Sequence, residues 1–448
     1  MNKLQLRIPA HLWTRMHDEL YRSGSREPVV FGLVSHASTA DRTLILLREL
    51  IVPPPTAFLP SRGHGARWSG AWSIELLNRA LPQRLGIFIF HAHGGERDVH
   101  LSDDDLNSAR ELLPRFQIAI PDRPHGSVVF AKASAAGLVM LPNSDEFSSA
   151  LTVRYIQHGR LTTWPLPSVS DQEYAEFLLR PIADSRLMRQ ILKGSVVAVT
   201  GLSGGGSQAA MHLAAMGVGE IIAIDPQRAD RSNMLATPHL GWIEAKLGIH
   251  KVSAARWRVW LTNRRTKFTG VRASVPEPAA LEALKRADII VGCVNNLHAR
   301  ADLNEIAWRY CIPLVDIGLR ITTNLSDRLT GVSGQRSTVL PGRPCLWCMD
   351  FLTDEKLRGE TGGRGRSYLQ GPNDRDAFVS CFNGVLAGEA AAEVLRLLSG
   401  LGGDRDMRLQ YEGQEGFLGP MVVKPRKHCP LCKDTLAAGD PVWTPLAG

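Results

Sequence analysis

The stretch VVAVTGLSGGGSQAAMHLAAMGVGEIIAID, residues 196–225, decides the fold. An apolar run enters a glycine cluster, a helical pattern of small and apolar residues follows, and a second apolar run ends on Asp225. This is strand, loop, helix, strand. Glycines belong where backbone amides close around phosphate oxygens, because a Cβ would block the approach. The helix N-terminus behind them adds about half a positive charge. A dinucleotide fingerprint needs glycine at relative positions one, three and six. Those positions are Gly201, Ser203 and Gly206, so the middle one is missing, while Gly204 and Gly205 extend the loop. Asp225, at the end of the second strand, can accept both hydroxyls of a ribose.

Outward from this stretch the alternation continues through "KVSAARWRVWLTNRR", "FTGVRA", "ALEALKRA", "DIIVGCV", "ARADLNEIAWRYC" and "IPLVDIG". Helices and strands in turn predict a mostly parallel sheet covered on both faces. Beyond residue 321 the pattern changes to antiparallel strands, a glycine-rich loop, the helix "NGVLAGEAAAEVLRLLSGL" and a terminal segment with paired cysteines. Towards the N-terminus, residues 1–145 read as a separate mixed α/β domain. Its strands are "PVVFGLVSH", "RTLILLRELIV", "RLGIFIFHAH", "QIAIP", "GSVVFAKA" and "AAGLVMLP", and its helices are "SGAWSIELLNRAL" and "SDDDLNSARELLPRF". The second helix opens on a good N-cap and an acidic first turn. Residues 146–193 read as a linker with a strand-like "LTVRYIQHG" and a helical entry, and 194–448 as the nucleotide domain.

A chain of 448 residues has room for two or three cores. Its 44% hydrophobic and 21% charged content is that of a globular protein. The formal charge of +8 comes without a long Lys/Arg block, so no nucleic-acid tail is expected. No apolar run reaches the roughly 18 residues of a membrane span, and the first twenty residues lack the apolar centre of a signal peptide. A cytoplasmic location is expected, where seven cysteines suggest metal or catalysis before disulfides.

Cys345-Leu-Trp-Cys348 and Cys429-Pro-Leu-Cys432 form two CxxC knuckles. Each turn lets two thiolates face one ion, and two turns complete a closed tetrahedral zinc site, which is structural. Cys293 and Cys311 lie in apolar patterns and read as packing residues. Cys381 follows the glycine-rich loop and opens a helix, where amide dipoles favour thiolate. His91-Ala-His93 ends a strand, so both imidazoles share one side. Asp105, about twelve residues on and at a helix start, can complete a zinc site with an open water position.

Residues 180–432 resemble the ThiF/MoeB superfamily, which includes the ubiquitin-activating enzymes. The resemblance rests on "GLSGGGS", close to the GxGGxGS loop of adenylating enzymes. It rests also on "SNMLAT" at 232–237 for the family's SNLNRQ, Lys251 for its phosphate lysine, "CVNN" at 293–296 for its CTDN, and the CxxC pairs. It implies a Rossmann-like adenylation domain using ATP and Mg2+. Asp225 would hold ribose, and Asn233 and Lys251 phosphates. Asn295 and Asn296 would end the strand beside the metal, and Arg180 would reach a dimer partner's phosphates. Two departures stand out: the family's arginine falls on Ala236 and its magnesium aspartate on Asn295, with Asp316 as a nearby carboxylate. Asparagine keeps the oxygen but not the charge a hard cation prefers.

The N-terminal part resembles the JAMM (MPN) metalloproteases, with Glu27 as general base, His91 and His93 as ligands, and Ser102 and Asp105 as the SxxD pair. Gly94 replaces the usual proline, and the interval before Ser102 is one residue longer than usual. His100 and Glu96 read as loop residues. Together the resemblances imply activation of the C-terminal glycine of a ubiquitin-like protein, with Cys381 as a thioester nucleophile and loop 353–378 gating the step. A homodimer and a conjugating enzyme as partner follow, as in bacterial ubiquitin-like conjugation systems, with antiviral defence as a setting. The rivals are a sulfur-carrier adenylyltransferase, a JAMM-type zinc deconjugase with a nucleotide-binding scaffold, and a silent adaptor.

Overall fold

The computed structural model describes residues 3–22, 28–60, 66–93, 99–132, 134–166, 186–231, 234, 237–238, 240–323, 329–360, 380–404, 407–423, 426 and 428–440. Two sheets organise them. The first holds nine strands: β1 (Lys3–Ile8), β2 (Val29–Ser38), β3 (Arg42–Ile51), β4 (Gly86–Ala92), β5 (His125–Ala131), β6 (Ser134–Met140), β7 (Phe147–Ser148), β8 (Leu151–Gln157) and β9 (Arg160–Trp164). Their spatial order is β7-β6-β5-β4-β2-β3-β1-β8-β9. Helix α1 (Ala10–Leu20) packs one face through Trp13 and Met16, against Phe88, Phe90 and Phe130. Helices α2 (Gly70–Ala80) and α3 (Asp103–Ala119) cover the other through Trp72, Leu76, Leu113 and Phe116. Burial on both faces is why β4 reads as an unbroken apolar run.

Two expectations change here. "QIAIP" is no strand, since Gln117–Ala119 complete α3. Leu113, Phe116 and Ile120 are buried while Ile118 is 84% exposed, a helical spacing that a short apolar run conceals. The strand-like LTVRYIQHG forms β8 as expected, but with β9 it belongs to the first sheet rather than to a linker, because β8 pairs in parallel with β1, a strand absent from the sequence reading.

The second sheet runs β12-β11-β10-β13-β14-β15-β16-β17. Its strands are β10 (Val196–Thr200), β11 (Glu220–Ile224), β12 (Lys267–Val271), β13 (Ile289–Gly292), β14 (Leu314–Thr323), β15 (Leu329–Val339), β16 (Arg408–Glu412) and β17 (Phe417–Pro420). The first five are parallel and the rest antiparallel, as the change of pattern predicted. The helices are α4 (Arg186–Gly194), α5 (Gly204–Met216), α6 (Trp242–Lys246), α7 (Lys251–Thr262), α8 (Pro278–Lys285), α9 (Leu297–Arg309), α10 (Asp354–Gly359), α11 (Ser380–Ser399) and α12 (Cys432–Thr435). Strand order reverses between β10 and β13, which opens a crevice at their C-terminal ends, where open α/β sheets bind ligands.

The seam between the sheets joins apolar packing, with Leu44 and Leu46 against Leu284 and Ala287, to buried polar bonds. Buried Arg7 of β1 donates to the carbonyls of Lys285 (3.1 Å), Ala287 (2.9 Å) and Tyr310 (2.9 Å). These carbonyls end α8 and α9, so one guanidinium caps two helices. Arg154 of β8 pairs with Asp288. Beyond α12, Ser35 Oγ donates to the Ala437 carbonyl and Asp440 accepts from Ser38 N and Tyr310 Oη.

Candidate active site

The glycine loop closes the mouth of the crevice. Gly201 has φ +81°, and a Cβ there would meet the Cys293 carbonyl at 2.6 Å. At Gly206 it would overlap the carbonyl of Gly201, so the loop and the end of β13 touch through backbone alone. Gly204, Gly205 and Gly206 form the first turn of α5, with Ser203 as its N-cap residue making no side-chain cap. Those first amides therefore remain donors for an anion.

Asp225 is buried, and both its oxygens are engaged. Oδ2 accepts from Leu202 N and Oδ1 from Gln227 N, each at 2.7 Å. Through these two bonds it clamps the loop to the end of β11. Lys251 is the first residue of α7 and 1% exposed. Its Nζ donates to Ser203 Oγ at 2.8 Å and Gln227 Oε1 at 2.7 Å. Burial lowers its pKa, while Asp225 and Asp230 act the other way. The ammonium is thus kept dry and held against the glycine loop, a position from which a cation can meet an anion bound there. Gln227 escaped the sequence reading; its place two residues after Asp225 was the available signal.

The "CVNN" segment divides. Asn296 is spent as the N-cap of α9, accepting from Ala299 N at 2.7 Å, while Asn295 is exposed at the crevice edge. Asp316 offers no free carboxylate. It is wholly buried and paired with Arg300, with its pKa pushed up to about 6 by burial against that arginine's pull. Instead, Glu360 brings a carboxylate the sequence did not single out. It accepts from Leu297 N (2.9 and 3.0 Å) and His298 N (3.3 Å), across the first turn of α9. Cys381 is exposed in the first turn of α11. Gln208 Nε2 joins that turn to α5, bonding Gly204 O at 3.0 Å and Ser380 O at 3.1 Å. Asn233, Ala236, Arg180, Glu27, Gly94 and Glu96 lie outside the described residues, as do residues 361–378 of loop 353–378.

Among the described residues two clusters could hold metal. The sulfurs of Cys345, Cys348, Cys429 and Cys432 lie within 4.8 Å of one another, with neighbours at 3.5, 3.6 and 3.8 Å. A tetrahedral zinc with 2.3 Å bonds spaces its sulfurs about 3.8 Å apart, so the thiols fit the ion. The second is His91, His93 and Asp105, also within 4.8 Å. His91 Nε2 stands 3.0 Å and His93 Nε2 3.4 Å from the Asp105 carboxylate. Ser102 caps α3, and its N and Oγ donate to Asp105 Oδ2 at 2.8 and 2.7 Å. Burial would raise the Asp105 pKa, but the bonds from His91 and Ser102 prevail and hold it well below the usual carboxylate range. Two imidazoles and an ionised carboxylate converging on one point suit zinc with a fourth position open. Cys311 is buried and Cys293 half-buried, and desolvation raises both thiols' pKa values, Cys311 to about 12.

The chain belongs to the ThiF family, whose sequence model matches residues 176–431. It is a ThiF-family adenylyltransferase, similar to the sulfur carrier protein ThiS adenylyltransferase of Escherichia coli K12. The two are 22% identical over 281 residues, 61% of this chain and 100% of that one. It is 25% identical to the SAMP-activating enzyme E1 of Haloferax volcanii over 249 residues, 54% of this chain and 81% of that one. Against the molybdopterin-synthase adenylyltransferase of E. coli K12 the identity is 28% over 250 residues, 54% and 89% of the two chains. Among the described residues no helix is long and apolar enough to cross a membrane.

Proposed function

We propose that the chain uses ATP to activate the C-terminal glycine of a ubiquitin-like protein. The observation that carries this is Lys251, buried and fixed between Ser203 and Gln227 at the glycine loop. In the reaction a carboxylate oxygen of the glycine bonds to the α-phosphorus of ATP. The bond to the bridging oxygen breaks, and pyrophosphate leaves. Loop amides of Gly204–Gly206 and the Lys251 ammonium stabilise the charge that develops on the phosphate oxygens, and Asp225 orients the ribose. Asn233 would add a phosphate contact, and Arg180 another from the second copy of a homodimer. Mg2+ would be held by the phosphates with the Asn295 carbonyl oxygen beside them, and would neutralise phosphate charge.

In the second step the Cys381 thiolate attacks the acyl carbon, AMP leaves, and the thioester passes to a conjugating enzyme. Exposure of Cys381 on a helix turn bonded to the glycine helix supports this reading. The test is ATP–pyrophosphate exchange dependent on a ubiquitin-like protein. Exchange lost in Lys251→Ala and retained in Cys381→Ala, with the thioester lost in the latter, is the expected pattern. Exchange without any thioester would favour a sulfur-carrier adenylyltransferase like the E. coli ThiS enzyme.

The His91/His93/Asp105 cluster favours a second reading for the other half: a JAMM-like domain over residues 1–145 that cleaves or processes ubiquitin-like conjugates. Zinc there would supply a nucleophilic water, with Glu27 as its general base. The pairing of processing and activation fits a bacterial ubiquitin-like conjugation system, with antiviral defence as its setting.

A further inference from the structure

The helix that aims Lys251 into the crevice carries a different chemistry on its back. Val252, Ala255 and Val259 of α7 are buried, but Trp257, Trp260 and Leu261 are 54, 41 and 53% exposed. Beside them, Trp242, Ile243 and Leu247 on and just after α6 are 54, 62 and 67% exposed. An Arg258–Glu244 pair at 3.7 Å ties the two helices, so the six side chains share one surface. Trp257 and Trp260 stack, with centroids 5.0 Å apart at 17°. Arg264 lies 4.6 Å over Trp260, and Lys246 Nζ 4.6 Å over Trp242. Three tryptophans and three aliphatic side chains turned to water exceed the scattered apolar surface of an ordinary soluble protein.

The charge around the patch is one-sided. Lys246, Arg256, Arg258, Arg264 and Arg265 lie within residues 241–265 against the single acid Glu244, Lys251 being turned inward to the crevice. We propose that the outer face of α6 and α7 docks a protein partner with an acidic surface and an apolar ridge. Tryptophan and arginine together are the residues that dominate protein interfaces. Arginines, which outnumber lysines at the rim, pair bidentately with carboxylates. A second copy would set cation against cation, which like-charge repulsion disfavours. At 1.5 Å per residue the patch lies about 9–15 Å along α7 from Lys251, so an occupant sits beside the crevice without filling it. Docking therefore goes beyond the proposed chemistry and does not need ATP.

The test places a benzophenone amino acid at position 257 of the full chain in its native cells. The same group at Ile74, also exposed, is the control. A photoadduct specific to 257 is identified, and that protein is purified and titrated against the full chain. The expected result is one-to-one binding that weakens with salt and loses at least about tenfold affinity in Trp257→Ala/Trp260→Ala and in Arg256→Glu/Arg264→Glu. ATP affinity should stay unchanged in both variants, which separates this surface from the nucleotide site. The proposal is overturned by an adduct only with a second copy or no adduct above the Ile74 control. It is equally overturned by binding indifferent to charge reversal, or by binding only to phosphatidylglycerol vesicles.

Discussion

At the scale of single residues, Gln227 and Lys251 act as a unit. Asp225 fixes the Gln227 amide, the Gln227 carbonyl accepts from Lys251 N at 3.0 Å, and its side chain accepts from Nζ. Replacing Gln227 by Ala should leave the lysine in place but unaimed. A hydrogen bond to a charged group is worth about 1.5 kcal/mol, roughly tenfold. We expect KM for ATP to rise by that factor in pyrophosphate exchange while the melting temperature stays nearly constant. Lys251→Ala should cost far more, about a hundredfold or greater in kcat/KM, because a phosphate charge then goes unmatched. An unchanged KM in Gln227→Ala would remove it from the site.

At the scale of elements, His125 joins three of them. Its Nδ1 accepts from Ile87 N of β4 at 3.1 Å, and Nε2 must carry the hydrogen given to Ile120 O, the cap of α3, at 3.0 Å. Burial lowers its pKa from 6.5 to about 4, against the pull of that carbonyl and of Asp122. Because the folded value lies below the unfolded one, the neutral ring's contribution is complete above pH 6.5 and disappears as pH falls towards 4. About 3 kcal/mol is lost across that window. Urea midpoints for wild type should therefore fall between pH 7 and 4.5, and His125→Gln should flatten that fall.

Elements were also where reading the sequence worked and failed. The parallel half was legible because each strand is a short apolar run bounded by helical spacing, and glycines mark the loop where backbone meets backbone at Gly201 and Gly206. β1 was not legible, since the alternation in KLQLRI serves long-range pairing with β3 and β8 and has no local turn to announce it. Glu360 was hidden for a similar reason: its partners Leu297 and His298 lie some sixty residues earlier. Clusters built on short spacing, CxxC and HxH, could be read as side chains brought together; the burial of Asp316 against Arg300, which withholds its carboxylate, could not.

At the scale of the molecule, metal and seam should dominate stability. Elemental analysis should find about two zinc ions per chain, one after His91→Ala/His93→Ala, with the four-cysteine ion retained. Cys345→Ser/Cys348→Ser should lose that ion and several kcal/mol, since a structural zinc contributes folding energy directly. Arg7→Met leaves three carbonyls at the ends of α8 and α9 without their buried donor. It should destabilise the protein by about 3 kcal/mol and split one calorimetric transition into two.

The clasp formed by residues 437–440 gives this arrangement a practical corollary. Because the stretch after the last cysteine grips β2 through Ser35, His36 and Ser38, whatever loosens the thiolate knuckles also slackens the opposite half of the chain. Oxidants or chelators aimed at sulfur should thus be felt as faster amide exchange in β2, whose Val29 pairs with His91. One end of the polypeptide would in this way report its redox health to histidines that share no ligand with it.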